Sequence, residues 1–205
     1  LCRPHVRWTV VGGPHPTAVR QEIFQGMPGL DAAVVGEGEE VAVELLRWFG
    51  EGSEGEPPAG VLVQGASFRP AEPPSIGSIP WPARDLLPNA SYRYRFSTRR
   101  GFGTMITSRG CPFRCSFCDK SVSGSRWRAR SPIEIVDEME DMHLRFGIGF
   151  INFYDDNFTL QRSRVEGICE ELLRRRLKVE WKCEGRVDGV DTALLRLMRS
   201  AGCRV

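Results

Sequence analysis

The chain has 205 residues, of which 41% are hydrophobic and 26% charged, with a net charge of +2. That length buries a real core as one domain or parts of two, and the composition excludes a chain disordered throughout. No run of about 18 apolar residues is present to span a membrane, and the first residues lack the basic and apolar regions of a secretory leader.

In chain order, residues 6–11 are expected as a strand that breaks at Gly12-Gly13-Pro14. A short helix follows from Thr17, a good N-cap residue, to Gln25. Ala32-Ala33-Val34-Val35 is a second short strand, ended by Gly36-Glu37-Gly38, and Glu39 to Phe49 carries apolar residues at 41, 45, 48 and 49, a helical face. Strand, glycine turn and helix, twice over, are a piece of a parallel α/β sheet. Between 51 and 90 lie eight of the fourteen prolines, with one strand-like run at Val61-Leu62-Val63. Proline fixes φ and lacks a donor, so this stretch is expected as a linker that wraps a surface and marks a domain boundary.

A second alternation begins at Thr104–Thr107, a short strand. Ser131-Pro132 opens a helix with Pro at N1 and Glu134 in its first turn; its expected apolar face is Ile133, Val136, Met139, Met142 or His143, and Phe146. Phe150–Tyr154 is the next strand, and Gln161 to Leu177 the next helix, with Val165, Ile168, Cys169, Leu172 and Leu173 on one face. Residues 179–183 alternate as a strand, Thr192–Ser200 is a third helix, and Ala201 to Val205 reads as the start of a further strand. Three βα units in succession imply a parallel sheet. Beginning at Leu1 and stopping in a strand, the sequence reads as a fragment cut at both ends.

The seven cysteines stand at 2, 111, 115, 118, 169, 183 and 203, too sparse and uneven for a secreted disulfide scaffold. Three within eight residues point to metal ligation in a reducing compartment, the cytoplasm by default. Charge is also uneven: residues 84–130 carry eleven Arg or Lys against two Asp, a net of +9, leaving −7 for the remainder. That stretch is a solvated or nucleic-acid-binding face, or it surrounds an anionic cofactor; the cysteines inside it favour the second.

The strongest signal is Cys111-Pro-Phe-Arg-Cys115-Ser-Phe-Cys118, directly after a strand. Thiolates at such spacing hold iron–sulfur clusters, and three of them leave a fourth iron open for chemistry. A structural zinc site would want a fourth ligand. Cys169 and Cys183 lie on apolar faces and read as core, and His143 reads as a helix-face residue. The segment 108–118 resembles the cluster loop of radical S-adenosylmethionine (SAM) enzymes. That resemblance covers residues 101–205 and implies a 4Fe-4S cluster on Cys111, Cys115 and Cys118, whose open iron takes the amino acid end of SAM, with Phe117 against the adenine. Asp155-Asp156-Asn157 follows the second strand, where the family carries a segment, commonly Gly-Gly-Glu, that contacts the methionyl amino group. Arg186, in Glu184-Gly185-Arg186, ends the third strand at the same face. The competing readings are a helix N-cap for the Asp and Asn residues and an ion pair for Arg186.

Upstream, Gly12-Gly13 and Gly36-Glu37-Gly38 resemble the last part of the cobalamin-binding domain that precedes the radical domain in one large subgroup. Glycines after parallel strands make room at the sheet's carboxyl edge, where ligands of such folds bind. His15, between two prolines, reads as structural. The implied fold class is α/β: residues 1–50 as the C-terminal part of a Rossmann-like cobalamin-binding domain, 51–100 as a Pro-rich linker, and 101–205 as the first βα units of a partial TIM-type radical SAM barrel. The implied cofactors are a 4Fe-4S cluster, SAM and cobalamin. The implied reaction is reductive cleavage of SAM and radical chemistry on an unidentified substrate, including cobalamin-dependent methyl transfer or cyclisation. An electron donor such as flavodoxin or ferredoxin is the expected partner, and a nucleic acid is not. The alternatives are a radical methylthiotransferase, which would need a second cysteine trio where Cys2 stands alone, an RNA-modifying radical enzyme, and a zinc-bearing nucleic-acid-binding module.

Overall fold

The computed structural model describes residues 5–95 and 97–204, so Cys2 lies outside the described residues. The chain divides into two compact units, one running to Ser75 and including Phe113–Ser125, the other holding Ile76–Pro112 and the residues from Arg126 on.

In the first unit β1 (Val10–Val11) pairs in parallel with β2 (Ala32–Val34), and β3 (Val61–Leu62) pairs antiparallel on the other side of β2. Every residue of β2 is buried. Because successive side chains point to opposite faces, β2 feeds two cores. Ala33 packs with Ile23, Phe24 and Leu62, while Ala32 and Val34 pack with Val41, Leu45 and Phe49. The latter three lie on α3 (Glu39–Gly50).

Three expectations shift here. The strand expected over 6–11 shortens to two residues, because the Thr9 N–H donates to the Asp31 side chain at 2.7 Å instead of joining a ladder. The helix expected from Thr17 is two pieces, α1 (Pro14–Val19) and α2 (Ile23–Gly26), interrupted where Arg20 takes a positive φ of 51°. Pro14 occupies the first helical turn, so Thr17 is a buried residue inside the helix rather than its N-cap. The stretch 51–100, expected as a linker, supplies β3 to the first sheet, and residues 76–95 join the second unit with short 3-10 turns at Arg84–Leu86 and Asn89–Ser91.

The second unit is built on a parallel sheet in chain order: β4 (Phe102–Met105), β7 (Phe150–Phe153) and β8 (Glu180–Lys182). Cys203 forms a parallel bridge to Trp181, the next position in the same order. Between β4 and β7 lie a two-stranded antiparallel ribbon, β5 (Ser108–Arg109) with β6 (Arg128–Ala129), and α4 (Pro132–Phe146). Helices α5 (Arg162–Arg175) and α6 (Thr192–Ser200) follow β7 and β8, and α4 packs on α5 and α5 on α6. The α4 start is a capping box: Ser131 Oγ accepts from the Glu134 N–H while the Glu134 carboxylate accepts from Ser131 N. Its buried stripe is Ile135, Val136, Met139 and Met142; Ile133, expected inside, is 60% exposed. Leu173 of α5 likewise faces solvent, at 43% exposed. At the centre Trp181 is fully buried against Phe153 and Phe158, and its indole N–H donates to the Ala201 carbonyl at 2.9 Å.

Candidate functional site

The Cys111–Cys118 segment rises from the carboxyl end of β4. Strand pairs Ser108↔Ala129 and Arg109↔Arg128, extended by Arg130 N–H to Thr107 O at 3.0 Å, close residues 110–127 into a loop on a narrow stem. Within the loop Cys118 N–H donates to Cys115 O at 3.1 Å, Lys120 Nζ donates to Phe113 O, and Asp119 accepts from both N–H and hydroxyl of Ser121. Cys118 is exposed, Cys111 and Cys115 are half-buried, and none of the three is in a disulfide. Phe117 is 91% exposed, an apolar ring held in solvent. Cys111 belongs to the second unit while Cys115 and Cys118 belong to the first. Among the described residues no three His, Cys, Asp or Glu side chains are already gathered to hold a metal ion.

The segment after β7 grips the stem of this loop. The Asp155 carboxylate is buried and accepts from Thr107 N at 2.6 Å, Thr107 Oγ1 at 2.7 Å and Ser108 Oγ at 2.6 Å. This diversion of the Thr107 N–H explains why β4 ends at Met105, before the expected Thr107. Asp156 is exposed, and its Oδ2 accepts from Gly110 N at 2.7 Å. Asn157 is buried and accepts from Thr159 Oγ1 at 3.3 Å. None of the three caps α5, whose N-cap is Gln161. Phe158 N–H donates to Glu184 O at 3.0 Å, so the segments after β7 and β8 meet at the carboxyl edge of the sheet. There Arg186 donates to both Asp188 oxygens, at 2.9 and 2.7 Å, an ion pair within one turn. Asp155, Asp156, Asn157 and Arg186 thus follow the carboxyl ends of adjacent strands, with Asp155 turned inward.

Two arginines of the basic stretch, Arg84 and Arg130, are consumed internally. Glu138 of α4, 2% exposed, pairs with Arg84 at 2.6 Å and with Arg130, and Arg84 also donates to Thr104 O at 3.2 Å. Arg164 of α5, buried, pairs with Asp155 at 3.4 Å. Burial pushes its guanidinium pKa below the ordinary value, opposed by the Asp155 charge. Sequence reasoning missed Glu138 and Arg164, although each is a charge within an apolar helical stripe. Cys169 behaves as core: burial pushes its thiol up to about 12. Cys183 is raised by a hydrogen bond with Cys203 and by burial. His143 Nδ1 lies 3.1 Å from Ile148 O.

In the first unit the two glycine turns leave the carboxyl ends of parallel β1 and β2. Gly13 and Gly36 have φ of +101° and +82°, conformations in which a side chain is strained, and a Cβ at either would meet open space. Thr17 ties the turns together, donating to Gly13 O at 2.7 Å and accepting from Gly36 N at 3.0 Å. Gly12 is exposed, Glu37 and Gly38 are half-buried, and Gly38 is the N-cap of α3. His15 is exposed.

The Radical SAM superfamily model matches residues 105–205. Through this segment the chain belongs to the radical SAM superfamily. Curated relatives extend the likeness upstream of that segment. An uncharacterized methyltransferase of Pyrococcus horikoshii is 34% identical over 96% of this chain and 43% of its own length. The anaerobic magnesium-protoporphyrin IX monomethyl ester cyclase of Rubrivivax gelatinosus is 33% identical over 95% of this chain and 37% of its own. The chain therefore spans less than half the length of these curated relatives. Among solved structures, the radical SAM methyltransferase TsrM of Kitasatospora setae, with cobalamin and a [4Fe-4S] cluster bound, superposes with a TM-score of 0.70. It is 22% identical, over 95% of this chain and 40% of that one. The cobalamin-dependent radical enzyme OxsB gives the same TM-score of 0.70 at 22% identity, over 94% and 29%. The α/β fold read from the sequence is thus that of cobalamin-binding radical SAM enzymes, and the relatives support an enzyme rather than a zinc-bearing nucleic-acid module. Among the described residues no helix is long and apolar enough to cross a membrane.

Proposed function

We propose that this chain carries the cluster-bearing part, and the end of the cobalamin-binding part, of a radical SAM methyltransferase. The observation that carries the reading is the three-cysteine loop springing from the first strand of the parallel β4-β7-β8 sheet, inside the matched segment. Its donor set fits a 4Fe-4S cluster: three thiols at close spacing, none in a disulfide, two half-buried and one exposed. Cys111, Cys115 and Cys118 would hold that cluster, which when bound supplies the electron that splits SAM into methionine and a 5′-deoxyadenosyl radical.

The remaining roles belong to this chain's own residues. Phe117 offers an uncovered ring for the adenine. The Asp156-Asn157 segment and Arg186 border the carboxyl edge, where the methionyl end would sit. Gly12, Gly13, Gly36, Glu37 and Gly38 would face the corrinoid, and the open space at Gly13 and Gly36 supports this placing. The substrate is a small molecule with an unactivated carbon, the electron donor a flavodoxin or ferredoxin, and the setting a reducing cytoplasm. Relatives named as methyltransferases support methyl transfer, and relatives named as cyclases keep cyclisation as the alternative outcome.

The test is anaerobic reconstitution with iron and sulfide, followed by reduction in the presence of SAM. Broad visible charge-transfer absorption, about four irons per chain and release of 5′-deoxyadenosine are expected. A colourless protein that takes up one zinc and no iron would overturn the reading.

A further inference from the structure

The stem of the cysteine loop has two sides, the ingoing residues 107–109 and the outgoing residues 128–130, and a single guanidinium touches both. Arg164 Nη2 donates to the Thr107 hydroxyl on the ingoing side, while its Nε donates to the Arg130 carbonyl at 3.2 Å on the outgoing side. The same Nη2 lies 3.4 Å from Asp155 Oδ2, the carboxylate that already holds Thr107 and Ser108. Phe158 and Trp127 flank the group, with ring centroids 5.4 and 5.8 Å from Cζ. Two residue pairs make only a narrow ribbon, too short to be rigid alone. The charge lies in a buried setting where its fixed fork is worth most, and α5, which carries it, is anchored in the main core by Val165, Ile168 and Leu172.

We propose that Arg164 is a positioning residue: it brackets the two sides of the stem, residues 107–109 and 128–130, and holds them together next to Cys111. This rests on the cluster reading above for its chemical purpose, but not for its mechanics. A lysine could keep the charge beside Asp155. It would lack the planar fork whose Nε and Nη2 reach Arg130 and Thr107 in one fixed geometry, so bridging and charge compensation are separable.

The experiment is amide hydrogen exchange on the metal-free chain, wild type against Arg164→Lys and Arg164→Met. Amides of Arg109 and Arg128–Arg130 are expected to exchange at least about tenfold faster in both variants, while those of β7 stay within about twofold of wild type. If Arg164→Met fails to fold, the charge-neutral pair Arg164→Met with Asp155→Asn replaces it. After anaerobic reconstitution, the electron paramagnetic resonance of the reduced cluster with SAM should change its g-values in Arg164→Lys. Unchanged stem exchange in both variants, loss of protection spread equally over β7 and β8, or identical g-values would each overturn the proposal. Faster stem exchange in a protein whose wild type takes up no iron would instead overturn the cluster reading and leave the bracket standing.

Discussion

Gly110 gives its backbone N–H to Asp156 Oδ2 at 2.7 Å, one residue before the first cysteine of the loop. Gly110 itself sits at φ +83°, so the chain turns sharply there and the carboxylate fixes the turn from the neighbouring strand's end. Asp156→Ala should leave that donor to water and cost about 1 kcal/mol, since the carboxylate is exposed. The larger effect should fall on the loop: iron loss to a chelator is expected about threefold or more faster than in wild type, with the melting temperature lowered only slightly. Iron release at the wild-type rate would show that Asp156 does not hold the turn.

Gly185 and Thr159 join the segments that follow β8 and β7. A Cβ at Gly185 would stand 2.9 Å from Thr159 Cγ2 and nearer still to its hydroxyl, which donates to Asn157. The φ of Gly185 is ordinary, so crowding and not backbone strain demands glycine there. Gly185→Ala should destabilise by about 1–3 kcal/mol through overpacking, and Thr159→Ala should recover most of the loss when combined with it. Urea denaturation of the two single variants and the double one measures the coupling; additive effects would mean the two residues do not meet.

Glu138 answers two guanidinium groups inside the second unit, Arg84 and Arg130. Glu138→Gln would leave two buried cations without their carboxylate, which costs about 3–5 kcal/mol. By contrast Arg145, paired with Asp141 on the surface with 63% of its side chain exposed, should change stability by less than about 1 kcal/mol on replacement by alanine. Equal losses in the two variants, followed by chemical denaturation, would contradict the buried network.

How far the sequence carries the fold differs between the two units. Helices α4, α5 and α6 and the parallel order of their strands were legible because stripes at 3.6-residue spacing and the Ser131-Pro132 start are local signals. The antiparallel pairing of β3 was not: Val61-Leu62-Val63 looks like a strand, but its proline-rich surroundings say linker and its partner lies 27 or more residues away. At the candidate site, the close cysteine spacing and its place after a strand were legible in the sequence. Asp155 was identified but its direction was not: whether a carboxylate faces a ligand or the chain depends on Thr107, 48 residues distant. The same holds for Thr17, whose hydroxyl looks like a cap in sequence and serves as a tie between two glycine turns.

The thiols offer the sharpest separation between ligands and core. Alkylation needs both access and a thiolate. Cys169 is fully buried and its thiol is pushed up to about 12, so at pH 8 only about one molecule in ten thousand carries the reactive form. Cys203 is buried too, and Cys183, raised in the same direction, hydrogen-bonds with it. Cys118 stands exposed on its loop. Among the cysteines of the described residues, brief iodoacetamide treatment of the metal-free chain, read by peptide mass spectrometry, should therefore mark Cys118 first and leave Cys169 and Cys203 unmarked until the chain is unfolded. Raising the pH toward 10 should not bring Cys169 into reach, because its pKa still lies above that value and its burial persists. Loading iron and sulfide should then protect Cys111, Cys115 and Cys118 together, as metal-bound thiolates, while labelling of Cys183 stays as it was. Protection of Cys183 on loading would bring a residue of β8's end into the ligand set; a Cys118 still labelled in the loaded protein would remove it from that set.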